Sequence, residues 1–148
     1  MELQIHKMTG DSMSSDNVVP DPLETDVIKA IEEVLDYTNN TTPVNKTGYV
    51  TLTSPPTIPA LKAISSQLVF TFTGGYIDLG TDGGTFLQLE ATQLYWTVYL
   101  RAERHGPVLS ARRNSLSSVA VLKDCFITYL NRPGALPELD WVPAPHLN

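Results

Sequence analysis

Three carboxylates, Asp78, Asp82 and Glu90, lie close enough together to raise the question of paired acid–base chemistry. Two carboxyls on facing strands can act as acid and base on a glycosidic bond. Strands joined by a short turn give the same spacing, and no other residue marks a sugar groove. The histidines, His6, His105 and His146, are scattered over the chain with no helix-spaced pair and no H-E-x-x-H, so a metal site is not expected. Cys125 stands alone on the apolar side of a candidate helix, where a buried thiol is the ordinary role. Gly80-Thr81-Asp82-Gly83-Gly84-Thr85 offers glycines but no P-loop lysine and no helix behind it, so it reads as a hairpin turn. No catalytic residue, cofactor or metal ligand emerges from this search.

The arginines are the other group with chemical potential. Arg101, Arg104, Arg112 and Arg113 crowd into residues 101–113 against Glu103 alone. Guanidinium groups suit bidentate pairing with carboxylates or phosphates. Residues 1–45 hold nine acids against Lys7 and Lys29, with Glu32 and Glu33 among them, and the net charge is −6. An acidic chain is a poor sequence-independent nucleic-acid binder, because such binding neutralises phosphates with Lys and Arg. Protein carboxylates are therefore the favoured partners of the arginines, and the polarity can steer identical subunits head to tail. A solvated basic loop and a separate acidic patch account for the same residues without any partner.

The elements that would position these groups follow from pattern. The chain has 148 residues, 42% of them hydrophobic, enough for one domain with a sizeable core. One cysteine excludes a disulfide framework within the chain. No apolar run approaches the roughly 20 residues that span a bilayer, and the N-terminus lacks the pattern of a secretory signal, so no membrane association is expected. Residues 1–22 read as an extended arm and 23–148 as a single α+β domain. A helix is predicted from Thr25 or Asp26, with the stripe Val27, Ile28, Ile31, Val34 and Leu35. Strands are predicted at Gly48–Thr53, Gln67–Thr73, Tyr76–Leu79, Thr85–Glu90 and Gln93–Arg101. In the last, Trp96, Val98 and Leu100 oppose Tyr95, Thr97 and Tyr99, so both faces carry large side chains. The tyrosine face calls for a neighbouring chain, the arm or a covering helix. A polar connection over 102–114 then leads to a helix capped by Ser115 and running to Asn131, and the tail offers one short edge strand. Two helices packed on one face of a twisted, mainly antiparallel sheet is the economical arrangement.

The amphipathic helix Asp26–Tyr37, the strand Leu68-Val69-Phe70-Thr71-Phe72 after prolines and a glycine-broken hairpin come first. The strand Leu94–Arg101, a long polar loop, the helix Ser117–Leu130 and a segment with leucine and tryptophan follow. In layout and residue texture this order, over about residues 23–142, resembles the tail-terminator, or tail-completion, proteins of long-tailed bacteriophages. The resemblance implies a small α+β subunit in a six-membered ring that caps the tail tube and joins it to the head. It implies a virion location after assembly in the host cytoplasm, with DNA passing through the ring without sequence-specific contact. The hairpin around Gly74–Thr85, with Asp78 and Asp82, and the loop 102–114 would supply ring and tube contacts, joined by Tyr95, Tyr99 and the charged groups named above. The long acidic arm departs from short members and leaves another neck, tube or head-completion subunit open. Two readings of other classes remain: a small-molecule or peptide-binding module using Trp96, Tyr95 and Tyr99, and a small hydrolase using Asp78 or Glu90, which predicts a raised carboxyl pKa.

Overall fold

A computed structural model describes residues 1–9, 12–15, 18–39, 46–53, 71–73, 76–78, 85–93, 95–103, 106–112, 118–132 and 136–144, with backbone alone for 12–15, 71–73, 76–78 and Arg112. The strands are β1 (Glu2–Thr9), β2 (Ser12–Ser15), β3 (Val19–Pro20), β4 (Lys46–Thr53), β5 (Thr71–Thr73), β6 (Tyr76–Asp78), β7 (Phe86–Thr92), β8 (Trp96–Arg101), β9 (Leu109–Arg112) and β10 (Val142–Pro143). The helices are α1 (Glu24–Asn39) and α2 (Val119–Asn131). An antiparallel sheet runs β10-β9-β8-β7-β4-β1-β2, with β3 beside β2 on the outer edge of β1. β5 and β6 form a separate two-stranded sheet. The fold is α+β, with both helices on one face of an antiparallel sheet, as the pattern predicts.

Register decides what each face carries. Leu3 pairs with Leu52, Leu52 with Leu87 and Leu87 with Leu100, while Val50, Leu89 and Val98 form the next row. These side chains share one face because strand side chains alternate. Against them α1 buries Val27, Ala30, Ile31, Val34 and Leu35, and α2 buries Leu122, Cys125, Phe126 and Tyr129. Asn131 at the end of α2 bonds Glu24 at the start of α1, and Lys123 near the start of α2 bonds Glu32 in mid-α1, so the helices run antiparallel. At Gly48 the sheet and α1 lie in close contact, because a Cβ there would collide with Val34 Cγ1.

The structure corrects several expectations. The segment read as an arm holds β1, which pairs with β4 along its whole length from Glu2↔Thr53 to Thr9↔Lys46. Leu3 and Ile5 reach the core from it, an alternation hidden among polar neighbours. β1 also pairs with β2, from His6↔Ser15 to Thr9↔Ser12. Helix α1 begins before Thr25, and Asp26 sits inside its first turn, accepting the Leu23 N–H at 2.8 Å. That is the reaching-back half of a capping box. The cap of α2 is Ser118, not Ser115, and its hydroxyl accepts the Val121 N–H at 3.3 Å. The polar connection over 102–114 contains β9, which extends the sheet beyond β8 and is held in turn by β10. The tail is fastened by Trp141, which packs on the core and donates its indole N–H to the Pro137 carbonyl at 2.7 Å.

Candidate functional site: a buried polar face and a charged helix

The sheet face away from the helices is built from the alternate residues. His6 on β1, Tyr49, Thr51 and Thr53 on β4, Gln88 and Glu90 on β7, Thr97 and Tyr99 on β8 and Ser110 on β9 are all buried. A buried polar group costs free energy unless it is bonded, and several of these groups bond one another, while Arg101 Nε on the same face has no hydrogen-bond partner. Gln88 donates to Thr51 Oγ1 at 2.8 Å, His6 Nε2 lies 3.2 Å from Gln4 Oε1, and the Tyr49 hydroxyl donates to Glu90 Oε2 at 3.3 Å. At one end Phe86, Tyr99, Val108 and Ala144 close into a small apolar cluster.

Glu90 is the chemically distinctive group. It is 5% exposed, and Tyr49 and Tyr95 both bond its carboxylate. Burial raises its pKa to about 7, and the two phenol bonds, which favour the charged form, offset that only in part. The same burial, with the Glu90 charge beside it, holds the Tyr49 phenol above its ordinary range. The raised carboxyl asked for by a hydrolase is therefore present, but its cause is burial, and its bonded partners are phenols rather than a second acid. Cys125 is pushed up to about 12 by burial alone, far from a thiolate nucleophile at neutral pH.

The predicted contact residues divide sharply. Tyr99 is 8% exposed within its own chain and Tyr95 is 45% exposed at the β7–β8 turn, so the tyrosine pair does not form one open surface. Trp96 packs on the opposite, helix-facing side and shares no face with them. Arg101 lies over the Phe86 ring of its own chain, with its guanidinium 5.3 Å from the centroid. Arg112 is the register partner of Thr97, and Asp78 lies at the end of β6, paired with Thr71. Arg104, Arg113 and Asp82 lie outside the described residues, as do His105, His146 and most of the glycine-rich turn. Glu32 pairs with Lys123 at 2.7 Å and Glu33 with Lys7 at 3.7 Å, so both already have cations from their own chain. Both pairs are solvent-exposed on the acid side and worth little to stability.

Sequence reasoning missed His6, Tyr49 and Gln88. The signal lay in the alternation of Leu3 and Ile5 with His6 offset by one, and in the two-sided composition of Tyr49–Thr53. Among the described residues no group of three or more His, Cys, Asp and Glu side chains could hold a metal ion, and no helix is long and apolar enough to cross a membrane. Compared with known protein families, with curated proteins and with solved structures, the chain matches none.

Proposed function

We propose that the chain is a structural subunit of a phage tail or neck, which forms a ring that caps the tail tube and joins it to the head. In this reading six copies of the chain close the ring, tube and head-neck proteins are its neighbours, and its work is assembly rather than catalysis. The observation that carries the reading is where the chain spends its length. β4 and β7 are adjacent and antiparallel, in unbroken register from Thr47↔Thr92 to Thr53↔Phe86. Loops of about 2–5 residues suffice for such a pair. The chain instead places residues 54–85 there, and within them β5 and β6 pair with each other and, among the described residues, with no strand of the main sheet. An isolated two-stranded hairpin is marginal in water and gains stability by packing against something else. A neighbouring subunit is the partner that a ring provides.

The sheet edges argue against contact through strand addition. One edge ends on Val142–Pro143 and the other is divided between β2 and Val19–Pro20. Short, proline-bearing edge strands are poor templates for another chain's backbone. A contact of hairpin and basic segment on an unlike surface of the next copy is heterologous, and such contacts close into rings when the rotation permits.

The deciding experiment is solution mass by light scattering across protein concentration and salt, with electron microscopy of any large species. A ring-sized species, or a monomer that assembles as concentration rises or when isolated tail tubes are added, is the expected result. A strict monomer in all these conditions would remove the reading and leave a monomeric binding module in its place.

A further inference from the structure

Arg101 ends β8, cross-strand from Phe86 of β7, and its guanidinium rests over the Phe86 ring, 5.3 Å from the centroid. Its Nε is buried and has no hydrogen-bond partner. We propose that Arg101 is a binding residue for a carboxylate of a second copy of this chain, stacked on Phe86 in the free subunit and bonded through its Nε edge in the assembled one. The inference rests on the ring reading and names one contact within it.

A buried donor without an acceptor costs stability, and native folds pair nearly all such groups. Stacking does not require that donor. An apolar side chain of similar length would cover the cluster of Phe86, Tyr99, Val108 and Ala144 with no charge to desolvate. The single chain therefore gains little from a guanidinium at this position. What the group suits is set by its shape: Nε and one Nη lie along the same edge and form a fork that takes both oxygens of a carboxylate. The chain carries a net charge of −6, so a second copy brings carboxylates to the contact. Asp36 of α1 and Asp124 of α2 are exposed on the helix side of the sheet, whereas Arg101 shares the other side with Phe86 and Tyr99. A head-to-tail contact brings such unlike surfaces together. Arg101 is only partly buried and stands at the end of its strand, so its side-chain torsions can turn the guanidinium outward while Phe86 stays in its cluster.

The test uses two variants of the full chain beside the wild type. Arg101→Met keeps a stem over Phe86 and removes the fork, and Arg101→Lys keeps the charge without the Nε edge. Each is followed by its urea midpoint and by the concentration of half-assembly in light scattering. The expected result is an Arg101→Met midpoint at or above the wild type, with the half-assembly concentration raised about tenfold or more in both variants, the order that a charge-assisted hydrogen bond carries. A lowered midpoint or a failure to fold in Arg101→Met would make Arg101 a support of its own chain and overturn the proposal. Unchanged assembly of Arg101→Met beside an assembling wild type would overturn it too, while the ring reading stands. Full assembly by Arg101→Lys would show that charge alone suffices and sink the Nε contact. A wild type that never assembles removes the ring reading itself, and the second copy as the source of the carboxylate with it.

Discussion

At Gly48 the chain gives up a side chain so that α1 can lie close to the sheet, and Val34 occupies the space a Cβ would need. Gly48→Ala should destabilise the protein by about 1–3 kcal/mol in urea titrations, the usual cost of overpacking, and Val34→Ala in the same chain should recover part of the loss. A Gly48→Ala chain as stable as the wild type would mean that α1 can shift without cost. Glu90 makes a different prediction. Its pKa of about 7 in the folded state exceeds the ordinary 4.5, so between these values the folded chain holds a proton that the unfolded chain has released. The stability this contributes is complete below about 4.5 and is lost as pH rises through 7, by on the order of 3 kcal/mol in all. Urea midpoints should therefore fall across that window and stay level in Glu90→Gln; a wild-type midpoint that rises instead would refute the assignment. The burial of Cys125 was legible from its helix face. The burial of Tyr99 was not, because alternation identifies two faces without saying what covers the second.

Between residue and molecule lie the elements, and here the N-terminus carries the main lesson. Both helices and the strands β4, β7 and β8 announce themselves through apolar periodicity over runs long enough to be read. β1 does not, because its inward residues Leu3 and Ile5 sit among Glu2, Gln4, His6 and Lys7, and one of its outward residues, His6, is buried too. Polar residues predominate on its outer side, so composition alone reads it as solvated. Deleting residues 1–9 should therefore abolish cooperative unfolding, followed by circular dichroism, since β4 would lose its partner along its full length and Leu3 would leave the core. A truncated chain with an unchanged melting transition would restore the arm reading. The caps show the same limit at smaller size. Ser115, Ser117 and Ser118 are equivalent in type, and only the position of the first helical residue, Val119, selects Ser118.

For the whole molecule, charge and shape bear on assembly in different ways. Since Glu32 and Glu33 are paired with Lys123 and Lys7, in the proposed ring an acidic attraction towards a neighbour's arginines would act through the summed field of α1, with exposed Glu24 and Asp36 contributing, rather than through those two contacts. Field effects of this kind are screened within roughly 10 Å at 0.1 M salt. The association measured by light scattering should accordingly weaken as salt rises, and Arg112→Glu with Arg113→Glu should weaken it further at low salt. Assembly that ignores both salt and these substitutions would leave the hairpin contact as its sole basis. The α+β class and the single helical face were readable from order and periodicity. The pairing of β9 with β8 and β10 was not, because its four residues are too short a run to show a period.

The placement of residues 54–85 between two directly paired strands has one more implication, for variation. The entropy of closing a loop grows only logarithmically, and each doubling of its length costs roughly 0.6 kcal/mol. The β4–β7 ladder therefore tolerates a longer or shorter segment at that point almost equally well. Reach and scaffold can be altered separately: a peptide grafted between Thr53 and Phe86 inherits a preformed anchorage, and lineages of this chain are free to diverge there while the sheet stays the same.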